Sequence, residues 1–132
     1  MNMPERLDKN KIAWESVCAQ LDDRGYVLIP GMLAKKTCEE IAGYYREHNR
    51  FRSRIEMARY AFGRGEYKYF AYPLPGIVQQ LRSSIYPHLA ALANEWAERL
   101  GRKAAAYPQT LAEFLERCQR AGQKRPTPLL LK

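Results

Sequence analysis

Ile77, Leu81, Ile85, Leu89, Leu92, Trp96 and Leu100 recur at steps of four, four, four, three, four and four. Apolar residues at that spacing share one face of a helix, and a stripe so long has to be covered. The spacing predicts one principal helix, with Leu92 and Trp96 in the main core. Pro87 falls inside it. Proline lacks the backbone donor and crowds the preceding turn, so a kink or two abutting helices is expected near Tyr86. Gly101 supplies the stop.

The remaining segments arrange themselves around that helix. Lys11 to Asp23 reads as a helix, with Ile12, Trp14, Val17, Cys18 and Leu21 on one face and Gly25 as its left-handed end. Tyr26 to Ile29 reads as a short strand, too apolar for a solvent-facing edge, closed by Pro30-Gly31. Ala34 to Asn49 reads as a second helix that buries Cys38, Ile41, Ala42 and Tyr45. From Phe51 to Pro75 arginines and lysine alternate with aromatic rings, and short strands in irregular structure are expected. Tyr67 to Tyr72 is the most extended part. Thr110 to Ala121 is a shorter amphipathic helix with Leu111, Phe114, Leu115 and Cys118 inward, stopped by Gly122. The run from Pro126 to Lys132, apolar at Leu129 to Leu131, reads as a strand that has just started.

A chain of 132 residues is one domain or part of one, residues 1–132 taken together. Its 46% hydrophobic and 27% charged residues place it among globular rather than disordered chains. No apolar run is long enough to span a membrane, and Met1 to Lys11 lacks the apolar stretch of a signal peptide, so a cytoplasmic protein is expected. Cys18, Cys38 and Cys118 stand far apart, a pattern that suits neither a disulfide framework nor a zinc site. Reduced thiols on helices, at least two of them buried, are expected. The net charge of +8 favours acidic partners, nucleic acid first among them.

Catalytic constellations are scarce. A non-haem iron site needs two histidines and a carboxylate, and H-x-D on a strand puts two of the three on one side. His48 and His88 are the only histidines, and neither begins an H-x-D. Both read as ordinary helix residues. Ser16, Ser53, Ser83 and Ser84 lack a nucleophile-elbow setting. Gly63-x-Gly65 lacks the third glycine of a dinucleotide loop, and Glu66 breaks the likeness of Gly63–Phe70 to an RNA-recognition motif. Glu39, Glu40 and Glu66 read as solvated carboxylates. The one suggestive patch is the arginine-aromatic segment, in which Arg52, Arg54, Arg59, Arg64 and Lys68 are candidates for anion or substrate contact. The plainer alternative is that the rings pack on the long helix under the arginine stems.

Several blocks carry a resemblance. Leu21 to Leu33 is similar to the opening strand widespread in 2-oxoglutarate/Fe(II) oxygenases. More specific are Phe51 to Arg54, Met57 to Arg59, Phe62 to Phe70, Tyr72 to Pro75, Ala121 to Gln123 and Arg125 to Leu131, in order and suitably spaced. Across nearly its whole length the chain resembles the N-terminal portion of a bacterial family of such oxygenases, related in fold to prolyl 4-hydroxylases. The resemblance implies that the strand beginning at Pro128 runs on to the H-x-D of the iron site. The distal histidine and the basic residue for 2-oxoglutarate come later still. All of these lie beyond Lys132, so no family metal, catalytic or cosubstrate residue maps onto this chain.

The fold expected from all this is α+β and mostly helical, the support region of a double-stranded β-helix (jelly-roll) oxygenase with most of the barrel absent. The leading functional expectation is a truncated or partial oxygenase, inactive alone. Fe(II) and 2-oxoglutarate are then implied only for full-length relatives. Two alternatives stand beside it: a small basic module for nucleic acid or another polyanion, and an interaction domain that pairs through an open strand edge. Self-association through the C-terminal strand is expected of the partial oxygenase, because the resemblance implies that the neighbours of that strand lie beyond Lys132.

Overall fold

The structure, a computed structural model, describes residues 12–102 and 106–132. The chain falls into two compact units, Met1–Met32 with Gln79–Gln123, and Leu33–Val78 with Lys124–Lys132.

The first unit is helical. Helix α1 (Trp14–Arg24) ends where Gly25 takes a left-handed conformation, φ +79°, and its amide donates to Leu21 O at 2.9 Å. The expected start at Lys11 lies outside the described residues. The long stripe forms α3, one helix of 24 residues (Gly76–Arg99) that continues through Pro87 instead of breaking into two. Val17 of α1 and Ala90 and Leu92 of α3 are buried. The Trp14 and His88 rings stack 3.9 Å apart, so His88 is a packed helix histidine, as its setting suggested. Helix α4 (Leu111–Arg120) starts at Thr110, whose Oγ1 accepts from the Glu113 amide at 3.3 Å and so satisfies one of the helix's free donors. Phe114 of α4 stacks with Tyr86 at 5.4 Å, and Tyr86 Oη donates to Pro108 O at 2.8 Å. Burial pushes the Tyr86 phenol above its ordinary range.

Trp96 departs from expectation. It is 37% exposed and donates its Nε1 to Asp22 Oδ1 at 2.9 Å, beside Arg99 at 2.7 Å. Leu89 and Leu100, at 42% and 69%, are still more exposed. The stripe is real, but from Leu89 to Leu100 only Leu92 among its members is buried, and indole with a polar tip suits the margin better than aliphatic carbon.

The second unit holds a three-stranded antiparallel sheet in the order β1 (Phe51–Glu56), β2 (Glu66–Phe70), β3 (Leu129–Leu131). Helix α2 (Lys35–Gly43) is shorter than the expected Ala34–Asn49. Beyond Gly43, a weak helix former, the chain passes into 3-10 turns at Tyr44–Arg46 and His48–Arg50, separated by Glu47 in a non-helical conformation. Thr37 is the buried residue of α2, whereas Cys38, expected inside, is exposed. Cys18 and Cys118 are half-buried, and all three thiols are free. At the end of the central strand Phe70 is 1% exposed and stacks on its cross-strand partner Phe51 at 4.8 Å.

Tyr26 to Ile29 is not a strand. Exposure alternates along it as in one, with Tyr26 61% and Leu28 83% exposed, but no ladder pairs with it among the described residues. Apolar, β-branched sequence favours extended backbone, and only a partner makes that backbone a strand. Among the described residues no helix is long and apolar enough to cross a membrane.

Candidate functional site

The register of the sheet sorts the arginine-aromatic segment into two faces, because cross-strand partners point the same way. On one face Arg54 stands opposite Lys68, and Lys68 opposite Leu130. On the other, Ile55, Tyr67 and Leu131 form one row and Ser53, Tyr69 and Leu129 the next.

The first face is electrostatically closed upon itself. Lys68 is 6% exposed, donates its Nζ to Tyr45 O at 2.7 Å, and lies 4.1 Å from the centre of the Tyr45 ring. Arg54 pairs with Glu66 through Nε and with Glu56 at 3.0 Å. Lys132 Nζ stands 3.9 Å from the Glu66 carboxylate. Arg54 is the main cause that holds the Glu66 carboxyl below its ordinary range. Glu66 therefore is not the solitary solvated carboxylate its sequence setting suggested. Tyr45 Oη is buried; burial first and the charge on Glu66 second push its phenol up, although no group meets it at hydrogen-bond geometry.

Arg52 is similarly committed. The register shifts between Phe51 and Ser53, an irregularity that re-aims the intervening side chain. Its Nε donates to Pro126 O at 3.0 Å, and its guanidinium lies 4.4 Å from the centre of the Tyr69 ring. Of the five basic candidates, Arg52 and Lys68 are tied to backbone carbonyls and Arg54, itself exposed, is paired with Glu56 and Glu66, while Arg59, paired with Glu56, and Arg64 are exposed on the loop between β1 and β2.

That loop closes the end of the second face. Met57–Tyr60 forms a 3-10 turn, Ala61 takes the left-handed conformation at φ +58°, and Phe62 N donates to Met57 O at 3.2 Å. Gly65, at φ +137°, lies where a β-carbon would come within 3.0 Å of Lys132 O. The result is a cavity of about 630 Å3 lined by Ile55, Met57, Tyr60, Phe62 and Tyr67. Tyr60 and Phe62 are 59% and 75% exposed. The alternation of rings and arginines hinted at this segment, but Ile55 became a wall residue only through strand register and Met57 only through the 3-10 turn that follows the strand.

Residues 65–132, just over half of the chain, match a family described as oxygenases catalysing oxidative methylation of damaged DNA. The chain belongs to this oxygenase family. The matched region of the oxygenase takes in β2, α3, α4 and β3. Two uncharacterized proteins of Mycobacterium tuberculosis, from strains CDC 1551 / Oshkosh and ATCC 25618 / H37Rv, are each 40% identical to it over 63 residues. Those 63 residues are 48% of this chain and 27% of each relative, so the match spans about a quarter of the curated relatives' length. No solved structure matches the chain significantly.

An oxygenase of the Fe(II)/2-oxoglutarate type would need the two-histidine, one-carboxylate set, and this chain's residues do not fit it. His88 is packed face to face on Trp14, and His48 is exposed on a 3-10 turn. Among the described residues no three His, Cys, Asp or Glu side chains gather where they could hold a metal ion.

Proposed function

We propose that this chain is the metal-free portion of a DNA-directed Fe(II)/2-oxoglutarate oxygenase, and that it turns over no cosubstrate by itself. In this reading the three strands begin a double-stranded β-helix related to that of prolyl 4-hydroxylases. The carrying observation is a family match at β2, α3, α4 and β3 in a chain whose two histidines begin no H-x-D. Function belongs to a site, and a family fold without its donors supplies positioning rather than chemistry.

The test is succinate formation from 2-oxoglutarate by the 132-residue chain, with Fe(II), ascorbate and damaged DNA present. No turnover above a protein-free control is expected. Turnover that survives repurification and disappears in His48→Ala or His88→Ala would overturn the reading.

The alternative of a basic polyanion-binding module draws on a separate observation. Arg59 and Arg64 remain exposed, in a chain with a net charge of +8. Such binding would fall steeply with added salt, as counterions return to the phosphates.

A further inference from the structure

The cavity lined by Ile55, Met57, Tyr60, Phe62 and Tyr67 takes no part in holding the sheet together, yet its volume of about 630 Å3 lies within the size range of small-ligand sites. We propose that it is a stacking site for an unstacked base of single-stranded DNA, which works without metal. This rests on the reading of the chain as part of a DNA-directed oxygenase.

Three observations converge on that occupant. First, the rings are presented rather than packed: Phe62 is 75% and Tyr60 59% exposed, and large apolar side chains grouped in the open mark an interaction surface. Second, the loop holds them in place. Ala61 between them adopts a left-handed conformation that side chains disfavour, and the Phe62 amide is tied to Met57 O at 3.2 Å. Third, the surroundings are cationic. Arg59 and Arg64 stand exposed on this loop, and Arg59 reaches Glu56 at 3.1 Å while 76% exposed. No described carboxylate pairs with Arg64.

Charge decides between occupants. A second copy docked loop to loop would set Arg59 and Arg64 against their own equivalents, whereas a nucleotide brings phosphate for the arginines and a flat π-face for the rings. Aromatic rings beside a cationic track are what sequence-tolerant single-strand binding uses.

The experiment is fluorescence anisotropy of the 132-residue chain with a labelled short oligothymidine, an abasic strand of equal length, and a duplex. Tyr60→Ala and Phe62→Ala are each expected to weaken oligothymidine binding about 5- to 100-fold. Binding of the abasic strand and the duplex should be weak and indifferent to both substitutions. Both side chains are exposed, so the melting temperature should hold within a few degrees, which separates lost stacking from lost fold. Oligothymidine bound equally by parent and variants, or no better than the abasic strand, would overturn this proposal and leave the oxygenase reading intact. No binding of any strand at low salt would overturn this proposal and the DNA-directed part of that reading together.

Discussion

Replacing Phe70 by alanine tests where the fold keeps its strongest packing. Phe70 is 1% exposed and the largest fully buried side chain among the described residues, stacked on Phe51 at 4.8 Å, with its amide donating to Pro128 O at 2.9 Å. Emptying a buried phenylalanine site costs about 3–5 kcal/mol, from lost transfer energy and the cavity left behind. For a small domain with about 5–15 kcal/mol in all, that is a large fraction. At about 2–8 °C per kcal/mol the midpoint should fall by at least about 6 °C, and by well over 10 °C at the upper end. Trp96→Ala is the comparison, because the sequence periodicity alone ranks Trp96 in the core. With 37% of the residue in water, its truncation should cost only about 1–3 kcal/mol. Trp96→Phe, which removes chiefly the exposed hydrogen bond to Asp22, should cost less than Trp96→Ala. Urea and thermal denaturation followed by circular dichroism give the order. A Phe70→Ala chain that melts like the parent, or a Trp96→Ala chain that loses more, would refute this placement of the core.

Three further outcomes follow from the same unit. Glu66 has a folded pKa held below its ordinary 4.5, chiefly by Arg54, so its contribution is present above that value and lost as pH falls through the folded pKa. Urea midpoints of the parent should therefore drop in acid more steeply than those of Glu66→Gln, and parallel curves would contradict the pairing. Gly65→Ala should destabilise by more than about 1 kcal/mol, because its β-carbon meets Lys132 O at 3.0 Å and its φ is +137°. Gly63→Ala, at φ +97° in open space, should lose less, and thermal melts of the two variants read the order directly. Leu129 and Leu131, 40% and 69% exposed on one face of edge strand β3, should drive self-association at high concentration. Leu129→Lys with Leu131→Lys should restore a monomer in size-exclusion chromatography, and a parent already monomeric at every concentration would dismiss the idea.

The helices were legible because their signals are local. Gly25 and Gly122 mark stops, and the four-residue steps of α3 need no knowledge of anything distant. How far that stripe would be covered was not legible, because cover is supplied by other elements: Trp14 meets His88, but nothing comparable shields Leu100. Strand assignment failed in the instructive direction at Tyr26–Ile29, where composition was favourable and no ladder formed. At Leu129–Leu131 a strand forms, but not the unfinished one expected to find its neighbours beyond Lys132, because β2 pairs it within this chain.

The candidate site shows the same division between residue type and register. The sequence marks Arg52, Arg54, Arg59, Arg64 and Lys68 as one basic group, and by composition they are equivalent. Register separates them. Arg54 falls opposite Lys68 and beside Glu66, and Lys68 turns inward to the Tyr45 carbonyl. Arg52, at the shift in the ladder, is re-aimed onto Pro126 O and the Tyr69 ring. Arg59 and Arg64 lie beyond the last pair of the hairpin, where no cross-strand neighbour exists to claim them. A one-residue slip would exchange the two faces, burying rings and exposing Lys68. The charge available to a ligand is therefore set by the hairpin pairing rather than by the number of arginines, which is why a patch of five reduces to a loop of two beside exposed aromatic rings.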